Sequence, residues 1–188
     1  MNDYKQPSFY HFNQDSISLV RFVLQNISHA NRILDLGAGS GVIGLEVARA
    51  LNPKLLHSLE VQVDYQESLE ANMEFFLPKE TIGKIYINSF GSFVPPETYD
   101  LILCNPPYYF PDSGQRASDP RRDIARSFTI DDWAVLFNLI KRSLGENGNA
   151  YFVLKNEKIT LNRILSFLPE GINHKFVESG DIVFLILS

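Results

Sequence analysis

The sequence has one cysteine, one tryptophan and no excess of positive charge among its 188 residues. The lone Cys104 excludes an internal disulfide framework. The formal net charge of −5 at pH 7 excludes a global positive field that would attract nucleic acid or an anionic membrane, so any contact with nucleic acid must be local. Apolar runs such as Ile182–Leu187 are far shorter than the roughly 20 residues that span a bilayer.

The first residues carry neither the basic region nor the apolar stretch of a secretory signal. We therefore expect a soluble, cytoplasmic protein that does not contact a membrane. A chain of 188 residues with 45% hydrophobic composition can bury one sizeable core but is short for two. We expect residues 1–188 to form one domain, in which residues 1–30 make an N-terminal cap and helix.

Short β-rich apolar runs alternate with segments of helical period, which is typical of a parallel sheet covered by helices on both faces. Only Ser179 and Gly180 separate the last two runs, so these should form an antiparallel hairpin. The predicted fold class is α/β: a Rossmann-like, seven-stranded and mostly parallel sheet with an antiparallel C-terminal hairpin. The predicted strands are residues 32–36, 55–61, 84–88, 99–104, 149–154, 174–178 and 181–187, and the predicted helices are residues 16–27, 41–51, 64–77, 131–144 and 157–167.

A glycine-rich loop follows the first predicted strand. Its glycines let the backbone turn tightly and approach a ligand where a Cβ would collide. The helix that opens at Gly41 would present N–H groups and a positive dipole end. Glu60 follows at the spacing expected of a ribose-binding carboxylate, although the same glycines could serve only as a strand-to-helix turn. The candidate cofactor residues here are Asp35, Gly37, Ala38, Gly39, Gly41, Glu60 and Val61.

Asp35 favours a sulfonium cofactor over a dinucleotide. In dinucleotide-binding folds the phosphates lie against the glycine loop, where a carboxylate at the end of the adjacent strand would repel them. S-adenosylmethionine instead carries an ammonium and a sulfonium group, which an acidic strand end attracts. Two alternatives remain open: Asp35 could hold loop amides by hydrogen bonds, and Glu60 could be a solvated charge at its strand end.

The fourth predicted strand ends directly at the candidate catalytic residues Asn105, Pro106, Pro107 and Tyr108, of which Asn105 is also a candidate cofactor residue. Ligands of open α/β sheets bind beyond the carboxyl ends of strands, so this loop should share a crevice with the glycine loop. The Asn105 side-chain oxygen and the Pro106 carbonyl, which the prolines make rigid, could accept both N–H bonds of an amine. Tyr108 offers a face on which a planar base could stack. The alternative is an Asx-Pro turn with a packed aromatic residue.

The two motifs, in this order and spacing, resemble the small-domain N-methyltransferase superfamily, whose N-P-P-Y members methylate exocyclic or amide nitrogens. The segments YHFNQDS at residues 10–16 and NPPYYF at residues 105–110 are similar to those of the bacterial valine-tRNA adenine-N6 methyltransferase family, as are residues 119–122 and 125–126.

The resemblance implies methyl transfer from S-adenosylmethionine to adenine N6 in tRNA, which leaves S-adenosylhomocysteine. It implies that residues 12–16 close over this cofactor, although Asp15 could instead be an ordinary helix cap. The residues it assigns to the cofactor are Asp35, Gly37, Gly39 and Glu60, and those it assigns to the target adenine are Asn105, Pro106 and Tyr108.

Two positions depart from the family pattern. The acidic residue that often follows strand three is missing, and Asn88 or Ser89 would have to contact the adenine ring of the cofactor instead. The acid that usually follows the Ala-Arg pair is also missing, because Ser127 follows Arg126.

Residues 109–129 are predicted to form an irregular substrate loop beside the pocket. Its arginines could hold phosphates on either side of an extruded adenine, although they could equally be solvated surface charge. Tyr109 could belong to a lid or to the core. The partner implied is tRNA, and we expect a monomer or weak homodimer that needs no metal. The candidate substrate residues are Tyr108, Tyr109, Arg116, Arg121, Arg122 and Arg126.

Three other functions compete with this interpretation. Protein glutamine methyltransferases use the same N-P-P-Y chemistry, but they usually carry a helical recognition domain before the glycine motif. A non-catalytic nucleotide-binding module would not need the intact motif at Asn105. A nicotinamide oxidoreductase is disfavoured by Asp35 and by the lack of an obvious Tyr-Lys or His catalytic pair.

Overall fold

The computed structural model describes residues 3–9, 11–107, 121 and 128–188. Within these ranges the chain alternates between strands and helices, as the hydrophobic pattern predicts. The strands are β1 (Arg32–Leu36), β2 (Leu55–Glu60), β3 (Ile82–Ile87), β4 (Tyr99–Cys104), β5 (Leu144–Lys155), β6 (His174–Ser179) and β7 (Ile182–Leu187). The helices are α1 (Gln14–Asn26), α2 (Val42–Leu51), α3 (Gln66–Phe76), α4 (Ile130–Ser143) and α5 (Lys158–Leu165), with a short 3-10 helix at Val63–Tyr65.

The strands form one sheet in the order β3-β2-β1-β4-β5-β7-β6. The first five strands are parallel, and β7 runs antiparallel to both β5 and β6. Gly180 has a φ of +64° in the turn between β6 and β7, a conformation that glycine adopts without strain. The predicted fold class, including the antiparallel C-terminal hairpin, is confirmed.

Two strands begin earlier than the hydrophobic pattern predicts, and glycines explain both differences. β5 begins at Leu144 rather than at residue 149, because Gly148 lets the chain pass against β4: a Cβ there would lie 2.6 Å from the Tyr99 carbonyl oxygen. β3 begins at Ile82 rather than at residue 84, and a Cβ on Gly83 would meet the Met73 sulfur of α3 at 2.6 Å. Glycine interrupts the apolar pattern of a strand, so only tertiary packing reveals these segments.

The sheet has a hydrophobic core on each face. Alternate residues of β1 point to opposite sides: Leu34 packs with Trp133 and other residues of α4 and α5, whereas Ile33 packs with α1, α2 and α3. All strand residues named here are completely buried. The helices therefore cover both faces, which leaves the ends of the central strands as the place for a ligand. No helix in the described part of the chain is long and apolar enough to cross a membrane.

The chain reverses its direction of winding between β1 and β4, because β2 and β3 lie on one side of this pair and β5 on the other. Leu36 and Cys104, the last residues of the two strands, are paired across the ladder. Loops that leave adjacent strands in opposite directions open a crevice at their carboxyl ends. The glycine loop and the Asn105 loop therefore start side by side.

Candidate functional site

A cleft of about 640 Å³ opens at the carboxyl ends of the central strands. The glycine loop, the end of β2, the loop after β4 and the N-terminal segment contribute its walls. Six predicted cofactor residues line it, namely Gly37, Ala38, Gly39, Glu60, Val61 and Asn105, together with the predicted catalytic residues Pro106 and Pro107.

The glycine loop depends on conformations with positive φ. Gly37, Gly39 and Gly41 have φ values of +68°, +53° and +80°, which side-chain-bearing residues rarely adopt. The N–H groups of Gly37 and Ala38 both donate to the Leu59 carbonyl oxygen, at 2.9 and 3.0 Å, and so tie the loop to β2. The backbone of this loop therefore forms a wall of the cleft without side chains that would fill it.

Glu60 lies at the end of β2 and is 4% exposed. Its Oε2 accepts a hydrogen bond from the Gly39 N–H at 2.8 Å, and its Oε1 accepts from the Val61 and Gln62 N–H groups at 2.9 Å each. Burial raises the pKa of this carboxyl, while the three backbone hydrogen bonds act in the opposite direction. An ionised carboxylate has about four acceptor positions, so one remains for a ligand hydroxyl.

Asp35 lies beneath the glycine loop and is 1% exposed. Its Oδ2 accepts a hydrogen bond of 2.9 Å from the Gly44 N–H, in the first turn of α2. Burial raises the pKa of this carboxyl to about 7. Asp35 is not a lining residue of the cleft, so the structure shows it holding the start of α2, and a direct contact with a ligand stays a prediction.

Asn105 lies in the same cleft as the glycine loop. Its Nδ2 donates a hydrogen bond of 3.0 Å to the Ser16 Oγ, from the first turn of α1. Cys104, on the cleft floor, is 1% exposed, and burial raises the pKa of its thiol well above the ordinary value. A neutral thiol is a poor nucleophile. The groups at this end of β4 that can contact a substrate are therefore the polar atoms of Asn105 and Pro106. Tyr108 lies outside the described residues.

The N-terminal segment crosses the cleft after two anchoring contacts. The Tyr4 hydroxyl donates to Glu46 of α2 at 2.8 Å. The Asn72 side chain accepts from the Lys5 N–H and donates to the Lys5 and Ser40 carbonyl oxygens, each at 2.8 Å. This places residues 12, 13, 15 and 16 along the cleft, where residues 12–16 are predicted to cover the cofactor.

The first turn of α1 is also attached to β5, the strand next to β4 in the sheet. Asp15 forms an ion pair of 3.1 Å with Lys155, the last residue of β5, and both side chains line the cleft. Asn13 caps the helix, since its side-chain oxygen accepts from the Ser16 N–H at 3.2 Å. The residue that caps the helix is therefore Asn13, whereas Asp15 joins α1 to β5.

Three predicted cofactor residues besides Asp35 do not line the cleft: Gly41, Asn88 and Ser89. Asn88 Oδ1 accepts from the Ser89 N–H at 2.8 Å, and Ser89 Oγ donates to Ser92 at 3.1 Å, so this pair stabilises its own turn. Sequence reasoning missed several lining residues, among them Gln62, Tyr65, Phe90, Phe128 and Lys155. Gln62 and Lys155 could have been suspected, because both lie at the carboxyl ends of predicted strands.

Arg121 is the predicted substrate-loop residue that the structure describes. Its guanidinium forms an ion pair of 3.5 Å with Asp64 and lies 4.7 Å from the ring centre of Phe9. Phe9 in turn contacts Tyr65 edge to face, and both rings line the cleft. Arg121 therefore lies at the N-terminal segment, and its contact with a phosphate stays a prediction. Tyr109, Arg116, Arg122 and Arg126 lie outside the described residues.

A group of three or more His, Cys, Asp or Glu side chains that could hold a metal ion is absent from the described part of the chain. The expectation of a metal-free site stays a prediction.

Comparison with known proteins identifies a family for this chain and several solved structures that share its fold. The family model "methyltransferase small domain" matches residues 10–121. The chain is similar to the tRNA1(Val) (adenine(37)-N6)-methyltransferase of Yersinia pestis (strain Pestoides F), with 34% identity over 137 residues, which cover 70% of this chain and 53% of that protein. The similar region thus spans about half the length of the curated relatives.

Solved structures share the fold at lower identity. The ribosomal protein L11 methylase from Lactobacillus delbrueckii subsp. bulgaricus has a TM-score of 0.66 and 14% identity, over 95% of this chain and 80% of that one. TrmN from Thermus thermophilus has a TM-score of 0.64 and 19% identity, over 92% of this chain and 47% of that one. The N-methyltransferase NodS from Bradyrhizobium japonicum, in complex with S-adenosyl-L-homocysteine, has a TM-score of 0.62 and 12% identity, over 92% and 84%.

Proposed function

Because this chain belongs to the methyltransferase small domain family, we propose that it transfers a methyl group from S-adenosylmethionine to the N6 amino group of an adenine in tRNA. The observation that carries the proposal is the position of Asn105, whose side chain lies in the same cleft as the positive-φ glycine loop. A donor and an acceptor can meet only where these two walls face each other.

The residues present fit the cofactor. Gly37 and Gly39 leave backbone where side chains would fill the cleft, and a Cβ on Gly39 would touch the Tyr65 ring at 3.5 Å. Glu60 keeps acceptor capacity for a ribose hydroxyl after its three backbone hydrogen bonds. The carboxylate of Glu60 on the wall favours a cationic ligand over phosphates. Bound S-adenosylmethionine would supply an electrophilic methyl group.

Asn105 and Pro106, which line the cleft beyond β4, would position the nitrogen that receives the methyl group. The lone pair of an adenine amine is delocalised into the ring, so the nitrogen must become tetrahedral, with the lone pair directed toward the methyl group, before it can attack. The Asn105 side-chain oxygen and the Pro106 carbonyl would accept its two N–H bonds and hold that orientation. Alignment of the reacting atoms is worth up to roughly 7–11 kcal/mol, so positioning supplies most of the acceleration. Hydrogen bonds to the charge that develops on nitrogen add about 1.5–3 kcal/mol each.

A protein base is not needed for this step. The amine proton becomes acidic only after the nitrogen has gained a fourth bond, and water can then take it. Burial raises the pKa of the Cys104 thiol, and the Glu60 carboxyl binds three backbone amides, so neither group is suited to act as that base.

The curated relatives support tRNA as the substrate, since they are tRNA adenine-N6 methyltransferases at 34% identity. The chain has a net charge of −5, so RNA would have to bind through local basic groups rather than through the overall field. The arginines of residues 109–129 stay the predicted source of those contacts.

Methyl transfer from labelled S-adenosylmethionine tests the proposal. Purified protein is incubated separately with total tRNA, rRNA and protein from a strain that lacks its gene. We expect label in tRNA, recovered as N6-methyladenosine after nuclease digestion. Label confined to protein would contradict the RNA substrate and favour a glutamine amide as the acceptor. Calorimetric titration adds a check on the cofactor, because tighter binding of NAD than of S-adenosylhomocysteine would contradict the whole proposal.

A further inference from the structure

Gln62 is a buried glutamine on the cofactor wall of the cleft. It lies two residues beyond Glu60, lines the cleft and is 8% exposed. Its backbone is held in place, because its N–H donates to Glu60 Oε1 at 2.9 Å and its carbonyl accepts from the Tyr65 N–H at 3.2 Å. The side chain therefore projects from a rigid part of the wall.

The side-chain oxygen of Gln62 is buried, and it has no hydrogen-bond partner among the residues that the structure describes. The great majority of buried polar side-chain atoms in proteins are paired, so a buried amide oxygen without a partner needs an explanation. Because no hydrogen bond within the described chain holds the amide plane, rotation about its last torsion can turn the oxygen toward the cleft. A ligand can supply the missing donor.

The surroundings of Gln62 indicate which part of the ligand lies there. Glu60 retains acceptor capacity suited to a ribose hydroxyl, and Val61, between the two polar residues, is 52% exposed. Two residues of extended chain span about 6–7 Å, which is the scale of the step from a ribose to the far side of its base. An apolar face beside a polar side chain suits the face and the edge of a purine.

The other polar residues considered for the cofactor base already form hydrogen bonds within the chain. Asn88 and Ser89, which follow β3, hydrogen-bond within their own turn and do not line the cleft. Asn13 caps α1 through its side-chain oxygen. Asn105 faces Ser16 on the acceptor side of the cleft. Gln62 is thus the amide that remains for the cofactor base among the described residues.

We propose that the Gln62 side-chain oxygen accepts a hydrogen bond from the 6-amino group of the cofactor's adenine, and so makes binding depend on that group. This inference rests on the proposed function, since it presumes an adenosyl cofactor in the cleft. A glutamine carbonyl is a good acceptor for an exocyclic amine, and the same amide can donate to a neighbouring ring nitrogen. Gln62 would then do what an acidic residue after strand three does in related enzymes.

A double-mutant cycle on ligand binding tests the inference without any assay of activity. Calorimetry measures the Kd of S-adenosylhomocysteine and of the analogue in which hydrogen replaces the 6-amino group. One hydrogen bond corresponds to about a three- to tenfold change in affinity, so the wild type should prefer the amino ligand by that factor. In Gln62→Met, which keeps the length of the side chain but loses its polar atoms, the preference should fall below about twofold.

Two further variants control for structural effects. Gln66→Met removes a glutamine that hydrogen-bonds to Glu70 in α3 and does not line the cleft, so the wild-type preference should remain. Gln62→Glu keeps an acceptor oxygen and should also prefer the amino ligand, which keeps the test valid if Gln62→Met does not fold. Thermal unfolding adds a second readout: loss of an unpaired buried oxygen should not lower the Tm.

The outcomes separate the two proposals. An equal preference for the amino ligand in the wild type and in Gln62→Met would overturn the inference and leave the cofactor intact. Equal affinity of the wild type for both ligands would do the same. Failure of the wild type to bind S-adenosylhomocysteine at all would overturn the proposed function and this inference together.

Discussion

The Nδ2 of Asn105 donates a hydrogen bond of 3.0 Å to the Oγ of Ser16, and this bond joins the loop after β4 to the first turn of α1. The two residues are 89 positions apart in the chain, so the contact exists only in the folded protein. Ser16 is 5% exposed, and the Asn13 cap holds its backbone. The N-terminal segment thus helps to orient the amide that is proposed to bind the acceptor nitrogen.

Ser16→Ala should slow methyl transfer with little effect on cofactor binding. The variant removes the oxygen that accepts from Asn105 Nδ2, and a net hydrogen bond contributes about 0.5–1.5 kcal/mol, so kcat should fall roughly two- to tenfold. The Kd of S-adenosylhomocysteine should stay within about twofold of the wild type. Steady-state kinetics with tRNA and calorimetry measure the two quantities.

Ser143→Ala is the matched control for Ser16→Ala. Ser143 is also buried, and its hydroxyl donates to the Leu139 carbonyl within α4, away from the cleft. Its loss should leave kcat unchanged. An equal decrease of kcat in both variants would show that the effect is a general loss of stability rather than a change at Asn105.

Asn105→Ala should abolish most of the methyl transfer while S-adenosylhomocysteine still binds. The change removes an acceptor for the amine, and hydrogen bonds to a group that gains charge are worth about 1.5–3 kcal/mol, or roughly a 10- to 150-fold decrease in kcat. Single-turnover kinetics measure the rate of the chemical step. Asn105→Asp keeps an acceptor oxygen and should retain more activity than Asn105→Ala, and the reverse order would contradict the assigned role.

Asp35 should couple the stability of the fold to pH. Burial raises its pKa from 3.8 to about 7, so between these values the folded chain holds a proton that the unfolded chain has released. The free energy of unfolding should therefore decrease as the pH rises through this interval and level off above it. This sign is opposite to that of a carboxylate whose pKa is lowered by an ion pair.

Asp35→Asn isolates that contribution, because an amide does not ionise. The difference in the free energy of unfolding, variant minus wild type, should increase by roughly 2–3 kcal/mol between pH 5 and pH 8. Urea denaturation at the two pH values measures it, and comparison of differences cancels the other titrating groups. A difference that is the same at both pH values would show that the pKa of Asp35 is not raised.

Gly41→Ala should destabilise the fold more than Gly171→Ala does. Both glycines have positive φ, of +80° and +83°, so alanine is strained by about 1–2 kcal/mol at either position. A Cβ on Gly171 meets nothing within 4 Å, whereas one on Gly41 would lie 2.5 Å from the Cδ1 of the buried Leu69. The collision should add about 1–3 kcal/mol in urea denaturation. Equal losses in the two variants would mean that Leu69 moves aside freely.

The strands and helices were largely predictable because hydrophobic periodicity is a local property. β1 and β4 begin and end where the apolar runs do. The hairpin of β6 and β7 followed from a connection too short for a crossover. β5 was predicted too short, because Gly145 and Gly148 carry no side chain by which an apolar pattern could be recognised.

The candidate site was predictable where the residue types and spacing of a motif indicate a specific contact with a ligand. Gly37, Gly39, Glu60 and Asn105 come from such motifs, and all four line one cleft. Asn88 and Ser89 were chosen by position after β3, and the structure instead shows them bonded within their own turn. No local signal separates a side chain that faces a ligand from one that stabilises a turn.

The sequence by itself determined the order of strands and helices, the two loops that line the cleft and the family, because each depends on residues close together in the chain. Only the tertiary structure decided that Ser16 bonds Asn105, that Asp15 pairs with Lys155, and that the oxygen of Gln62 is buried beside the cleft without a partner in the described chain. The two contacts join residues that are distant in sequence, and the burial of the Gln62 oxygen depends on neighbours from several segments. All three arise only when the sheet brings its strand ends together.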